Sequence, residues 1–209
     1  MKLRIAILLL AVVCLSFSSS NAIRAQTVQQ WRDSLVVLNR QIERMPQSTD
    51  LRLRKAAINI ELEQWDYAIE EYGRVLQIDA NNRSALYFRA YALNHQRQYD
   101  RAKADYERFL SLTPIHFEAR FGLALVKRNM GRRQEAMDEL NKLVEQFPDS
   151  ALAYAARADY ETELKQYEPA LYDWDQALLR DPQNTLFQAA RTQLLDAMNG
   201  KRSRSARVK

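Results

Sequence analysis

Ala68, Ala102, Ala136 and Ala170 stand 34 residues apart in succession, with no insertion or deletion between them. A small residue held at one interval through three steps requires a unit of that length repeated along the chain. Within the unit the apolar residues follow two runs of helical period. Between residues 83 and 116, Leu86, Ala90, Leu93 and Asn94 share one helical face, and Ala102, Tyr106, Phe109 and Leu110 share another. The unit is therefore a pair of helices, and opposed small residues such as Ala90 and Ala102 let the pair close up. Asp66, Asp100 and Glu168 sit at the start of the second helices, where the helix dipole favours negative charge. Pro114, Pro148 and Pro182 are expected to stop those helices, because proline lacks the donor that another turn needs. One hairpin cannot bury both its faces, so neighbouring units must stack to share a core.

Counting back from the alanines places repeats at 49–82, 83–116, 117–150 and 151–184. The eighth position holds Ala56, Ala90, Ala124 and Ala158, and the twenty-fourth holds Tyr72, Tyr106, Leu140 and Trp174. The seventeenth holds Trp65, Tyr99 and Tyr167, with Arg133 the exception, and the thirty-second holds three prolines and Ala80. This register resembles the tetratricopeptide repeat, and the resemblance runs over residues 49–184 without a gap. It implies an all-α solenoid of four helix-turn-helix repeats. Thr27 and Gln30 form a capping-box pattern, and Trp31, Leu35, Leu38 and Ile42 follow on one face before Pro46. Residues 26–48 are thus expected as an N-terminal capping helix. Leu186, Ala190, Leu194 and Ala197 repeat the first-helix pattern up to Gly200, which predicts a C-terminal capping helix over 185–200 and a disordered basic tail over 201–209.

Residues 1–25 read as a secretory signal peptide. Lys2 and Arg4 precede an apolar run over 5–15, followed by serines and small-residue exits after Ala22 or Ala25. That run is well short of the roughly 20 residues that span a bilayer, so the expectation is a secreted, periplasmic chain. Cys14 lies inside the run, with Val13 before it where a lipoprotein needs a small residue. Beyond residue 25 there is no cysteine, hence no disulfide and no thiolate chemistry. The formal charge of +5 is uneven. Lys201, Arg202, Arg204, Arg207 and Lys209 crowd the C-terminus without an acid, and the signal segment takes Lys2 and Arg4, which leaves the body slightly acidic. Nucleic acid is disfavoured by that body. A second reading uses the tail to tether an envelope-associated structural subunit to a membrane or anionic polymer.

Nothing in the sequence assembles a reaction centre. His95 and His116 share no local metal-ligand spacing, and none of the four glycines forms a phosphate-cradling loop. Glu70-Glu71 and Asp138-Glu139 are adjacent on helices, so their side chains diverge by about 100 degrees. No catalytic residue, metal or cofactor is expected. The resemblance implies instead that the second, fifth, ninth, twelfth and thirteenth positions line a concave groove. Among these are Leu53, Ala57, Ile60 and Glu61; Tyr87, Tyr91, Asn94 and His95; Phe121, Leu125, Arg128 and Asn129; and Asp159, Thr162 and Glu163. Leu53, Tyr87, Tyr91, Asn94, His95, Phe121, Leu125, Arg128 and Asn129 are the candidate partner-binding set, suited to an extended peptide or a partner helix. The competing reading packs the aromatics between repeats. The clamp by which some family members hold acidic chaperone termini is missing, since its positions carry Leu53, Ala57, Phe88, Glu118 and Gly122. Seventh positions Lys55, Arg89 and Arg157 face twenty-third positions Glu71, Asp105 and Asp173 as expected ion pairs, and Leu123 breaks the series opposite Glu139.

Overall fold

The computed structural model describes residues 27–206, with side chains to Gly200, and every regular element in that span is an α-helix. α1 covers residues 27–44. It is followed by α2 (Thr49–Glu61), α3 (Trp65–Ile78), α4 (Arg83–His95), α5 (Tyr99–Leu112) and α6 (Phe117–Asn129). The remaining helices are α7 (Arg133–Gln146), α8 (Ala151–Glu163), α9 (Tyr167–Arg180) and α10 (Thr185–Ala206). The helices fall into two compact units, one ending at Gln96 and one beginning at Arg97. The first holds α1–α4 and the second α5–α10.

Each repeat is punctuated by the same local chemistry. Ser48, Asn82, His116 and Ser150, all at the thirty-fourth position, accept a hydrogen bond from the third backbone N–H of the following first helix. Such a cap stabilises a helix by about 1 kcal/mol. Asn184 does the same for α10, accepting from Leu186 and Phe187. Every first helix then ends with its fifteenth position in the left-handed region: Glu63 at φ 56°, Arg97 at 57°, Gly131 at 74° and Lys165 at 62°. The reversal lets Gln64, Arg132 and Gln166 donate their N–H groups back to Asn59, Lys127 and Glu161. Only Gly131 enters that conformation free of a Cβ clash.

The second helices end at one register position whether or not a proline follows. α3 stops at Ile78 before Asp79 and Ala80, just as α5, α7 and α9 stop before Thr113, Phe147 and Asp181. The prolines are therefore not what ends them. Their carbonyls have another use, because each accepts from a long side chain. Arg52 donates to Pro46 O at 2.8 Å, Arg120 to Pro114 O at 2.8 Å, Arg180 to Pro148 O at 2.8 Å and Gln188 to Pro182 O at 2.8 Å.

In the first unit Leu38, Leu51 and Ile58 join α1 to α2, while Ala56, Ala68, Tyr72, Val75 and Ala85 form a second cluster. In the second unit Ala124, Ala136, Leu140 and Tyr160 form one core, and Ala158, Ala170, Trp174, Phe187 and Leu194 another. The eighth and twentieth alanines thus share a cluster in repeats one, three and four, as the register requires. Gly122 marks the closest approach, since a Cβ there would lie 2.6 Å from the buried Tyr106 ring. α1 forms where a capping helix is expected. The C-terminus differs from expectation: α10 runs past Gly200 to Ala206, so Lys201, Arg202 and Arg204 lie on a helix. A glycine outside the left-handed region costs a helix only about 1 kcal/mol and does not end it. Arg207 and Lys209, like residues 1–25, lie outside the described residues.

Candidate functional site

The register separates two sets of side chains, those facing the partner helix within a hairpin and those on the outer first-helix face. The inward set carries ion pairs. Lys55 meets Glu71 at 2.8 Å, and Arg157 chelates Asp173 through two bonds of 2.6 and 2.9 Å, as the seven-to-twenty-three pairing predicts. Arg89 belongs to the first unit and Asp105 to the second. Repeat three, with Leu123 at the seventh position, supplies its acid by other routes. Glu139 accepts from Arg120 at 2.7 Å, Lys127 at 3.0 Å and Lys142 at 3.2 Å. Arg52 makes the equivalent bond to Glu71 at 2.8 Å. This fourth-position arginine escaped the sequence reading, although Arg52 and Arg120 both stand 19 residues before their acid. One guanidinium there joins the acid of its own hairpin to the proline carbonyl before it.

On the outer face of the first unit the expected residues divide. Leu53 and Ile60 are half-buried against the Ala56 cluster and serve packing. Ala57 and Glu61 are exposed. His95 stacks flat on Trp65 with ring centres 4.2 Å apart, and Tyr91 meets both rings edge-on at 4.6 and 6.0 Å. Tyr91 keeps 37% of its surface exposed, so the three rings form an ordered, open aromatic cluster. Trp65 is its unforeseen member, since its seventeenth position reads as packing. Tyr87 and Asn94 are half-buried beside it in sequence.

In the second unit Phe121, Leu125, Arg128 and Asp159 line a pocket of about 230 Å³ with Ala124, Leu140, Ala156 and Tyr160. Arg128 is not the free polar anchor that its position suggests. Its guanidinium binds Asp159 at 3.0 Å and Glu163, and lies 5.3 Å from the centre of the Tyr160 ring. It ties α6 to α8, which satisfies its charge within the fold. Asn129 is exposed, and Thr162 turns its hydroxyl to the Ala158 carbonyl.

One inward residue breaks the pattern. Glu161 is buried with Oε2 lacking any hydrogen-bond partner, and the same hairpin also buries an unpartnered Trp174 Nε1. Burial and then the Asp173 charge push the Glu161 carboxyl up to about 7, against the opposing pull of Arg157. Among the described residues no group of three His, Cys, Asp or Glu side chains could hold a metal. No helix among them is long and apolar enough to cross a membrane.

Comparison with known proteins agrees with this arrangement. The tetratricopeptide-repeat family model matches residues 93–160. The small glutamine-rich tetratricopeptide repeat-containing protein 2 of Saccharomyces cerevisiae is 29% identical over 62% of this chain and 37% of its own. Human peptidyl-prolyl cis-trans isomerase FKBP4 is 25% identical over 56% of this chain and 26% of its own. The chain therefore spans well under half the length of these curated relatives. Among solved structures, MamA superposes with a TM-score of 0.69 at 17% identity, covering 75% of this chain and 92% of its own. YrrB, described as a TPR protein with an unusual peptide-binding site, gives 0.67 at 20% identity over 80% and 86%. PilF of Pseudomonas aeruginosa gives 0.67 at 20% over 85% and 81%. These likenesses show the fold, an all-α solenoid of helix-turn-helix repeats. Residues 93–160 match the tetratricopeptide-repeat family, and the fold together with these relatives supports a scaffold for protein–protein interaction.

Proposed function

We propose that this protein is a secreted, non-catalytic scaffold that holds a peptide or helix of a partner protein against its outer first-helix faces. The observation that carries the reading is the aromatic cluster of Trp65, Tyr91 and His95. Its rings are already ordered by stacking on one another, yet Tyr91 remains substantially exposed. Rings fixed before binding lose little side-chain entropy when a partner covers them. Phe121 and Leu125 add an apolar pocket in the second unit. The peptide-binding site in the description of YrrB is in keeping with this use of the fold.

The test replaces Tyr87, Tyr91 and Phe121 by alanine, one at a time, and compares partner affinity with the denaturation midpoint. A binding anchor costs at least about 2 kcal/mol in affinity, with helical content retained. Affinity that falls only in step with stability assigns these rings to packing and overturns the reading. Deleting 201–209 should leave affinity within a small factor. Loss of partner capture on that deletion alone, with steep salt dependence, would transfer the function to the basic C-terminus.

A further inference from the structure

α1 occupies the register of a second helix. Trp31, Ser34, Leu38 and Pro46 precede Trp65, Ala68, Tyr72 and Ala80 by 34 residues each, so they stand at positions seventeen, twenty, twenty-four and thirty-two of a preceding repeat. Beside it runs an open groove of about 700 Å³. It is lined by Trp31, Ser34, Val37 and Leu38 from α1 and by Arg54, Ala57, Ile58 and Glu61 from α2.

The same place exists three repeats later, and there it is filled. Leu38, Arg54, Ala57, Ile58 and Glu61 correspond to Leu140, Ala156, Asp159, Tyr160 and Glu163, each 102 residues on. Against those residues lies the first helix α6. It packs Phe121 and Ala124 into the core formed by Leu140, Ala156 and Tyr160, brings Leu125 to the same pocket, and ties Arg128 to Asp159 and Glu163. The α1–α2 groove therefore has the lining of a first-helix seat, and α6 shows what such a seat accepts. A large apolar residue comes first, a small one three later, an apolar one next, and a cation three beyond that. Glu61, exposed at the register position of Glu163, supplies the anion for that cation. A second copy of this chain offers α10, a first helix with no second helix after it among the described residues. Its corresponding residues are Ala189, Thr192, Gln193 and Asp196, which leave an apolar groove unfilled and set an acid against Glu61.

We propose that the α1–α2 groove is a docking seat for one amphipathic, basic helix of a partner protein, which completes the half-repeat that α1 begins. The inference is separate from the Trp65–Tyr91–His95 face. The probe is a synthetic peptide with the sequence of residues 116–130, stapled through positions 119 and 123 to hold it helical with Phe121, Ala124, Leu125 and Arg128 free. Binding is measured by calorimetry to the protein and to Ala57→Arg, Val37→Asp and Tyr91→Ala variants. Ala57 and Val37 are exposed, so these changes leave the core intact.

The expected result is saturable binding that falls at least tenfold for Ala57→Arg and Val37→Asp but is unchanged by Tyr91→Ala. A peptide carrying Arg128→Glu should bind at least tenfold more weakly, and Glu61→Arg in the protein should restore its affinity. Absence of binding, binding insensitive to Ala57→Arg, or no restoration by the charge exchange overturns the proposal. Concentration-dependent self-association abolished by Ala57→Arg overturns it in favour of a second copy as the occupant.

Discussion

The hairpins α6–α7 and α8–α9 put their residues at identical register positions and set up opposite electrostatics there. In the first, Glu139 is surrounded by Arg120, Lys127 and Lys142, and Lys127 sits at the eleventh position. Burial alone would raise the Glu139 carboxyl, but hydrogen bonds from Lys127 and Lys142 outweigh it and hold the group below its ordinary value. In the second hairpin Asp173 has Arg157 as its chelating partner, and the eleventh position holds Glu161, an acid facing an acid. The backbone register decides which side chains meet. Residue identity decides whether the meeting is an ion pair or a buried carboxyl with an unpartnered oxygen.

The largest effect should come from removing the acids. Glu139→Ala leaves Arg120 and Lys127 buried without their anion, and Asp173→Ala strands Arg157. Each should cost about 3–5 kcal/mol, read from the urea midpoint, with Glu139→Ala the worse because it strands more charge. Equal, small losses would mean that both networks are dispensable and that the comparison has no energetic content.

Glu161→Gln should act in the other direction. Its carboxyl titrates near 7 in the folded chain and near 4.5 when unfolded, so between those values the folded state keeps a proton that the unfolded state has lost. Stability from this group is full below about 4.5 and is lost as pH rises through about 7. Glu161→Gln should then stabilise by about 1–2 kcal/mol at pH 8 and hardly at all at pH 4.5. Glu139 has the reverse sign, its contribution present at neutral pH and lost as pH falls through its lowered value. A Glu161→Gln increment independent of pH would remove the buried-acid account.

Smaller effects probe the backbone and packing of the same two hairpins. Gly122→Ala should cost about 1–2 kcal/mol by pressing on Tyr106, whereas repeat four already carries Ala156 at that position. At the fifteenth position the two hairpins differ by Gly131 and Lys165, both left-handed. Lys165→Gly should stabilise by about 1 kcal/mol and Gly131→Ala should cost a similar amount. The same sign for both in thermal melts would show that the conformation is not strained.

The fold was legible because one 34-residue register governs it. Ala68, Ala102, Ala136 and Ala170 fix where hairpins close, and no indel blurs the count. Less legible was anything decided by side-chain reach. Arg52 and Arg120 reach from the fourth position, Arg128 spends its charge on α8 rather than on a partner, and Trp65 completes an aromatic cluster from a packing position. The end of α10 was misread at Gly200 because a glycine ends a helix through its dihedral angles, which composition does not show. Positions alone name Tyr91 and Phe121 as outward-facing. How their rings are held depends on neighbours distant in sequence.

The central claim is that the outer first-helix face, rather than the second helices, meets the partner. A photoreactive phenylalanine analogue placed at position 91, 125 or 172 in the native compartment tests it directly. Tyr91 and Leu125 lie on first helices, whereas Tyr172 lies on a second helix and is the most exposed of the three, so its accessibility cannot explain a failure to capture. The account predicts that positions 91 and 125 capture one and the same protein and that position 172 does not. Capture from position 172 alone, or equally from all three, would contradict it.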